Sequence, residues 1–318
     1  MDLIYTNAKR IDQGILTAYA FDLSFGADEN DFEMVLGANQ PTLEIGAAVY
    51  IEGTEYGGIV DGVKVTTNGE TITYNGRTWH GILNSKVIEP DTGENYLVVS
   101  GNANDILSMM IDRLGLSGLF VASDELSGVN IPGYQFHRYC KGYDGILDML
   151  ADNGAKLKIE WVNRSVVLSA VPVADYTQSP VDGDIAMLTV EQQGKKVNHL
   201  VCLGAGNLAE REVIHLYLDQ FGRVGNTQYY TGLDEYCEVY ENTNTEDLAK
   251  DGKAKFKELQ SGDKAEIDLN ETAGISFDIG DIVGATENKS GVSVAAAVTQ
   301  KIVKIQNGVV STEYKTGR

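Results

Sequence analysis

Ile45-Gly46-Ala47-Ala48-Val49 opens a strand near the start of the chain, and Ile279-Gly280-Asp281-Ile282-Val283 opens another near its end. Behind the first come Asn68-Gly69, a dipeptide suited to the positive φ angles of a two-residue hairpin loop, and then Tyr74. Behind the second come Asn307-Gly308 and Tyr314. The same strand grammar written twice predicts two related small β-barrels in one subunit. Three such subunits in a ring would present six similar surfaces, which is how a trimer meets a sixfold tube. The argument concerns assembly rather than catalysis.

Working outward, residues 15–90 read as strands. Tyr19, Phe21, Leu23 and Phe25 alternate with Ala20, Asp22 and Ser24, and Phe32, Met34 and Leu36 alternate again after the acidic loop Asp28–Asp31. Asn68-Gly69 and Asn75-Gly76 both read as hairpin loops of an antiparallel meander. The pattern then changes to helical spacing at Leu107, Met110, Ile111 and Leu114, with Asn104 as the cap and Gly115 as the stop. A second helix starts near Asp144 and stops at Asn153-Gly154, and two strands joined by a turn at Asn163-Arg164 follow. A third helix is expected over 244–260, with Thr243 and Glu246 spaced as a capping box. Apolar positions in the long C-terminal strand switch parity between Val298 and Val303, which predicts a bulge near Gln300. The fold class is therefore mainly β with an α+β insert. The expected division is a first β-barrel over 1–92, the insert over 93–171, a connector over 172–194 that may complete the first barrel, and a second barrel with one helix over 195–318.

The chain has 318 residues, enough for two or three domains. Its 25 basic and 46 acidic residues give a net charge of −21, a field that opposes stable nucleic-acid binding but suits an acidic passage that DNA crosses without sticking. Cys140, Cys202 and Cys237 are too few and too scattered for a disulfide framework. The start, Met1-Asp2-Leu3-Ile4-Tyr5, does not read as a signal peptide, and no run is long and apolar enough to span a bilayer. Synthesis in a reducing cytoplasm, without membrane insertion, is the expectation.

Motifs that suggest chemistry fail on context. Gly204-Ala205-Gly206-Asn207-Leu208-Ala209 has dinucleotide-fingerprint spacing, but Ile214, Leu216 and Leu218 then alternate as a strand where a helix is required. The acidic loop at Asp28 has Glu33 where a calcium loop needs glycine and Asn39 where it needs a bidentate acid. His80, His137, His199 and His215 fall in strand-like segments without the pairing of a helical zinc site. No nucleophile elbow or phosphate loop occurs. The expected catalytic, cofactor-binding and metal residues are therefore none, and no cofactor is expected.

Several phrases, taken in order, resemble a known family. They are Arg77-Thr78-Trp79-His80-Gly81-Ile82-Leu83, Val87-Ile88-Glu89-Pro90, Ser100 to Asp105, Gly204-Ala205-Gly206, Arg211, His215-Leu216-Tyr217, Thr231 to Glu235, Gly280 to Gly284 and Val298 to Ile305. Their order and spacing, from about Arg10 to Gly317, resemble the tail proteins of long-tailed phages and prophages of Gram-positive bacteria, and more remotely the baseplate hub of contractile-tailed phages.

That resemblance implies a non-enzymatic virion structural protein, a hub or tail-tip component of the tail, made in the host cytoplasm. It implies tube-type barrels, a homotrimeric ring with a channel for DNA, and neighbours that include the tail tube, the distal tail protein and tip or fibre proteins. The strand edge near Asp281 to Ala285 is the expected place for a neighbouring subunit to add a strand. The alternative is a tail-associated peptidoglycan hydrolase or a glycan-binding module, the latter using Tyr229, Tyr230, Tyr236 and Tyr240 as stacking platforms.

Overall fold

Tyr19, Phe21, Leu23 and Phe25 share one face of a strand, as their alternation requires, and all four are buried. The computed structural model describes residues 1–27, 29–66, 69–177, 186–191, 197–219, 224–243, 247–260, 264–269, 276–286, 293–306 and 308–317. The first strands are β1 (Leu3–Thr6), β2 (Asp12–Leu16), β3 (Tyr19–Gly26), β4 (Asp31–Gly37), β5 (Ala48–Tyr50), β6 (Gly57–Val65) and β7 (Thr71–Thr78). Then come α1 (Trp79–Asn84), β8 (Val87–Ile88), β9 (Val98–Asn102), α2 (Ala103–Arg113), β10 (Phe120–Ala122), β11 (Asn130–Gln135), β12 (Cys140–Lys141), α3 (Gly142–Ala151), β13 (Ala155–Val162) and β14 (Ser165–Pro172). After β15 (Ala186–Glu191) follow β16 (His199–Leu203), β17 (Val213–Leu218), β18 (Val224–Gly225), β19 (Cys237–Glu241), α4 (Leu248–Gln260) and β20 (Lys264–Leu269). The chain ends with β21 (Ile282–Thr286), β22 (Ser293–Gln306) and β23 (Val309–Gly317).

The fold is mainly β with helices on the insert, as expected, but the two copies of the strand grammar do not lie in two separate sheets. One ten-stranded sheet runs β2-β1-β5-β6-β7-β4-β3-β22-β21, with β23 on the other edge of β22. The joint is β3 against β22, antiparallel, with Gly26 opposite Gln300 and Ala20 opposite Gln306. Val303 and Ile305 consequently share a core with Phe21, Leu23, Phe32 and Met34. The path is open, and no barrel closes among the described residues.

The chain divides into two compact units, 1–188 with 266–317, and 189–265. The physical reason is a shared core. Ala48, Tyr50 and Trp79 bury against Ile106, Met110, Ile146, Trp161 and Leu168 of the insert. Tyr50 stacks on Trp161 at 4.3 Å between ring centres, and Trp161 on Trp79 at 5.0 Å. Within this unit β10, β14 and β13 form a small sheet on which α2 and α3 pack. The second unit holds the sheet β18-β17-β16-β19, with Leu200, Cys202 and Leu216 buried beside Leu248 and Phe256 of α4.

The β13–β14 turn has Asn163 and Arg164 both at positive φ, the backbone of a tight hairpin. The bulge between Val298 and Gln300 lies where the parity switch puts it. Helix α2 is capped by Asn102 rather than Asn104, whose buried amide instead bonds Glu125 and Ala170. Asn75-Gly76 is no turn but the middle of β7, where a Cβ on Gly76 would meet the Ile59 carbonyl at 1.9 Å. That glycine serves close strand approach. Helix α1 replaces the expected strand end and carries His80. Asp28, Asn68, Asn307 and Asn244–Glu246, which carried the acidic loop, two hairpins and the capping box, lie outside the described residues.

Candidate assembly interface

The doubled grammar is repeated at the level of individual hydrogen bonds. Gly46 (φ 88°) and Gly280 (φ 95°) each turn the chain into a strand, at a backbone angle that glycine adopts without strain. Gly46 N–H donates to the Val60 carbonyl at 2.8 Å, and Gly280 N–H to that of Val298 at 2.8 Å. Val60 N–H donates back to Ala47 at 2.9 Å, and Val298 N–H to Asp281 at 2.8 Å. The Tyr74 hydroxyl accepts from Leu43 N–H at 3.1 Å, and the Tyr314 hydroxyl from Phe277 N–H at 3.2 Å. β6 bulges between Val60 and Gly62, and β22 between Val298 and Gln300. Val63 then pairs with Tyr74 as Lys301 pairs with Tyr314. β5, β6 and β7 therefore correspond to β21, β22 and β23.

Past the bulge the two copies part. Residues Gln300–Val303 carry β3 on their outer edge, with Lys301 opposite Phe25 and Val303 opposite Leu23. The corresponding Gly62–Val65 pair with β7 alone among the described strands. Lys301 and Val303 are 3% and 0% exposed, whereas Val63 and Val65 are 50% and 64% exposed.

The covered edge is fixed by charge. Lys301 Nζ lies 2.8 Å from Glu55 Oε1 and within cation–π range of Tyr56 and Tyr314. Burial alone would raise the Glu55 carboxyl, but the Lys301 ammonium and the His80 ring outweigh it and hold the carboxyl down to about 2. Burial likewise works against the Lys301 charge, and Glu55 more than offsets it, so its pKa is raised. His80 Nε2 sits 3.4 Å from Glu55 Oε2, with the ring stacked on Phe25.

A second cluster lies at the start of β21. Lys156 Nζ is 2.7 Å from Asp281 Oδ1 and 2.8 Å from Asp278 Oδ2. Desolvation is overcome there too, and the Lys156 pKa is raised by hydrogen bonds to both carboxylates. Asp281 also accepts from Ala174 N–H and Asp278 N–H.

These contacts correct the expectation of an open edge at Asp281–Ala285. Ile282 exchanges backbone bonds with Ala174 and Tyr176, and Val283 is fully buried. The open edge is the corresponding region's neighbour, on β6.

Of the residues weighed for chemistry, Gly204 to Ala209 form the β16–β17 turn, with Gly206 at φ 98° and no α-helix following. Strand pairing brings together two histidines that sequence spacing kept apart. Glu235 Oε1 lies 2.6 Å from His199 Nδ1, and His199 Nε2 lies 2.9 Å from His215 Nδ1. Only the β16–β17 register, with His199 opposite Tyr217, places them side by side. The line of contacts runs Glu235–His199–His215, with the His199 ring stacked on Tyr217. Among the described residues no group of three metal-ligating side chains is assembled, and no helix is long and apolar enough to cross a membrane. Tyr229 and Tyr236 are exposed, while Tyr230 and Tyr240 are half-buried.

Neither a family model nor a curated protein matches the chain. Solved structures do. The 43 kDa tail protein of prophage MuSo2 from Shewanella oneidensis superposes with a TM-score of 0.60 at 12% identity, covering 100% of this chain and 98% of that one. The prophage tail protein gp18 from Listeria monocytogenes EGD-e gives 0.57 at 13%, covering 100% and 94%. The tail protein from Neisseria meningitidis MC58 gives 0.56 at 12%, covering 100% and 96%. Three bacterial genera are represented, so the likeness selects no host group. The chain has the fold of these tail proteins from end to end.

Proposed function

We propose that this chain is a non-enzymatic structural component of a phage or prophage tail, a hub or tail-tip subunit that assembles as a ring between tail tube and tip. The observation that carries this reading is the fold shared over nearly the full length of three tail proteins. The internal repeat supports it, because two corresponding modules per subunit give a trimer six similar units around one axis. In this reading copy one (β3–β7) and copy two (β15 and β20–β23) are the tube-type modules, each closing its barrel in the assembled ring. The 93–171 insert stands between them. DNA crosses the ring without specific binding, since a chain with a net charge of −21 repels it. Neighbours are the tail tube, the distal tail protein and tip or fibre proteins, and the protein is made in the host cytoplasm before incorporation into the virion tail.

Light scattering of the purified chain over a concentration series tests this. A trimer is the expected result, and a strict monomer at every concentration overturns autonomous ring formation. A second reading, glycan binding, rests on exposed Tyr229 and Tyr236. Retention on purified cell walls without turbidity loss would favour it, and turbidity loss would favour a hydrolase.

A further inference from the structure

We infer that the open edge of β6, Gly62–Val65, is the docking edge for β15 of a second copy of this chain, joined head to tail. The inference deepens the ring reading above and rests on it. Its template lies inside the molecule. The corresponding edge, Gln300–Val303, is occupied by β3, and occupation takes its two inward side chains, Lys301 and Val303, to 3% and 0% exposure. The same two places on β6 hold valines that are 50% and 64% exposed. An unpaired edge bearing exposed β-branched residues and one lysine is a surface suited to strand addition.

Chain order names the strand. In copy one, β3 pairs with β4, and β4 leads into the Leu43–Gly46 turn before β5. In copy two, β15 pairs with β20, and β20 precedes the Phe277–Gly280 turn before β21. β15 and β20 thus hold the places of β3 and β4, with residues 192–263 inserted where copy one has the short β3–β4 connection. β3 of copy one covers the edge of copy two within the chain. The matching contact, β15 of copy two on the edge of copy one, has no counterpart among the described pairings. Supplied by a neighbour, it makes a heterologous interface, the kind that closes into a ring.

The test uses the full chain. Light scattering is run on the wild type, on V63D/V65D and on V190P, which removes a backbone donor from β15, and hydrogen exchange by mass spectrometry is run on the wild-type oligomer. A circular dichroism spectrum checks that each variant is folded. The expected results are an oligomer for the wild type, monomers for both variants, and a 1:1 dimer that grows no further when the variants are mixed. In that dimer the intact β15 of one variant meets the intact edge of the other. Amides 62–65 in the wild-type oligomer should exchange about tenfold or more slowly than in the monomer.

An oligomer that survives V63D/V65D, or one with unprotected 62–65 amides, overturns the edge while leaving the ring. Edge protection with no dimer on mixing overturns β15 as the occupant and points to edge-to-edge pairing of β6 with β6. A wild type that is monomeric at every concentration overturns the ring and the edge together. The exchange measurement needs no variant, so a V190P chain that fails to fold leaves the test standing.

Discussion

Gly62–Val65 and Gln300–Val303 occupy the same place in two copies of one hairpin, yet one is bare and the other lies under a strand. The bare copy carries Val63 where the covered copy carries Lys301, and Ala47 where the covered copy carries Asp281. The comparison teaches that the shared backbone frame is set by Gly46/Gly280 and Tyr74/Tyr314, while the differences between the copies follow from what packs on them. The charged residues, Lys301 and Asp281, stand in the copy whose edge is covered within the chain. Lysine at position 301 is tolerated because Glu55 and the rings of Tyr56 and Tyr314 receive it.

The comparison breaks when the covered copy is given the bare copy's residue. K301V leaves Glu55 charged and without its lysine in a largely buried site, a loss of about 3–5 kcal/mol by urea unfolding at pH 7. The acid limb supplies an independent check. The Glu55 carboxyl is held at about 2, below its ordinary 4.5, so its stabilisation is complete above 4.5 and is lost as pH falls towards 2. E55Q should flatten that part of the stability profile. An unchanged acid limb in E55Q would mean that other carboxylates control it.

D281A makes the second exchange of copy-one for copy-two chemistry. It removes a carboxylate that accepts from Lys156 Nζ and from two backbone amides, while Asp278 still faces the lysine. The expected cost is about 2–4 kcal/mol. A cost below that of an ordinary surface substitution would show that the cluster relaxes into water. A finer probe asks whether the copies are equivalent where they look it. Y74F and Y314F each orphan one buried backbone donor, at about 1–3 kcal/mol apiece, and the two losses should agree within about 0.5 kcal/mol.

The repeat was legible in the sequence because two of its markers are residues that backbone geometry and packing demand, a glycine at positive φ and a buried tyrosine. The helices of the insert were legible from apolar spacing, although the α2 cap fell two residues early because Asn104 is committed to tertiary bonds. What stayed hidden depends on partners far along the chain. Nothing local to Val298–Ile305 says that its outer edge meets Tyr19–Gly26, and nothing local to Asp281 announces Lys156. Six-residue α1 is too short to establish a helical period, and the pairing of His199 with His215 exists only through the β16–β17 register. The open edge was sought at Asp281–Ala285 from the strand pattern alone. Only the structure shows residues 174–176 lying along it and Val63 exposed on the other copy.

The smallest expected effect is also the most discriminating. V63D/V65D should change the stability of the isolated subunit by no more than about 0.5 kcal/mol for each exposed site, because exposed side chains have little packing to lose and aspartate remains solvated. V303D, the same substitution at the corresponding covered position, buries a charge beside Phe21 and Leu23 and should prevent folding. Subunit unfolding measured at a concentration where only monomer is present separates these cases. If V63D/V65D unfolded the monomer as V303D does, the β6 edge would be part of the subunit's own core and unavailable to any neighbour. If it left the monomer intact, the β6 edge lies outside the subunit's own core and is free to take a neighbour's strand. The corresponding contact of β3 on β22 shows how large a burial that partner can supply.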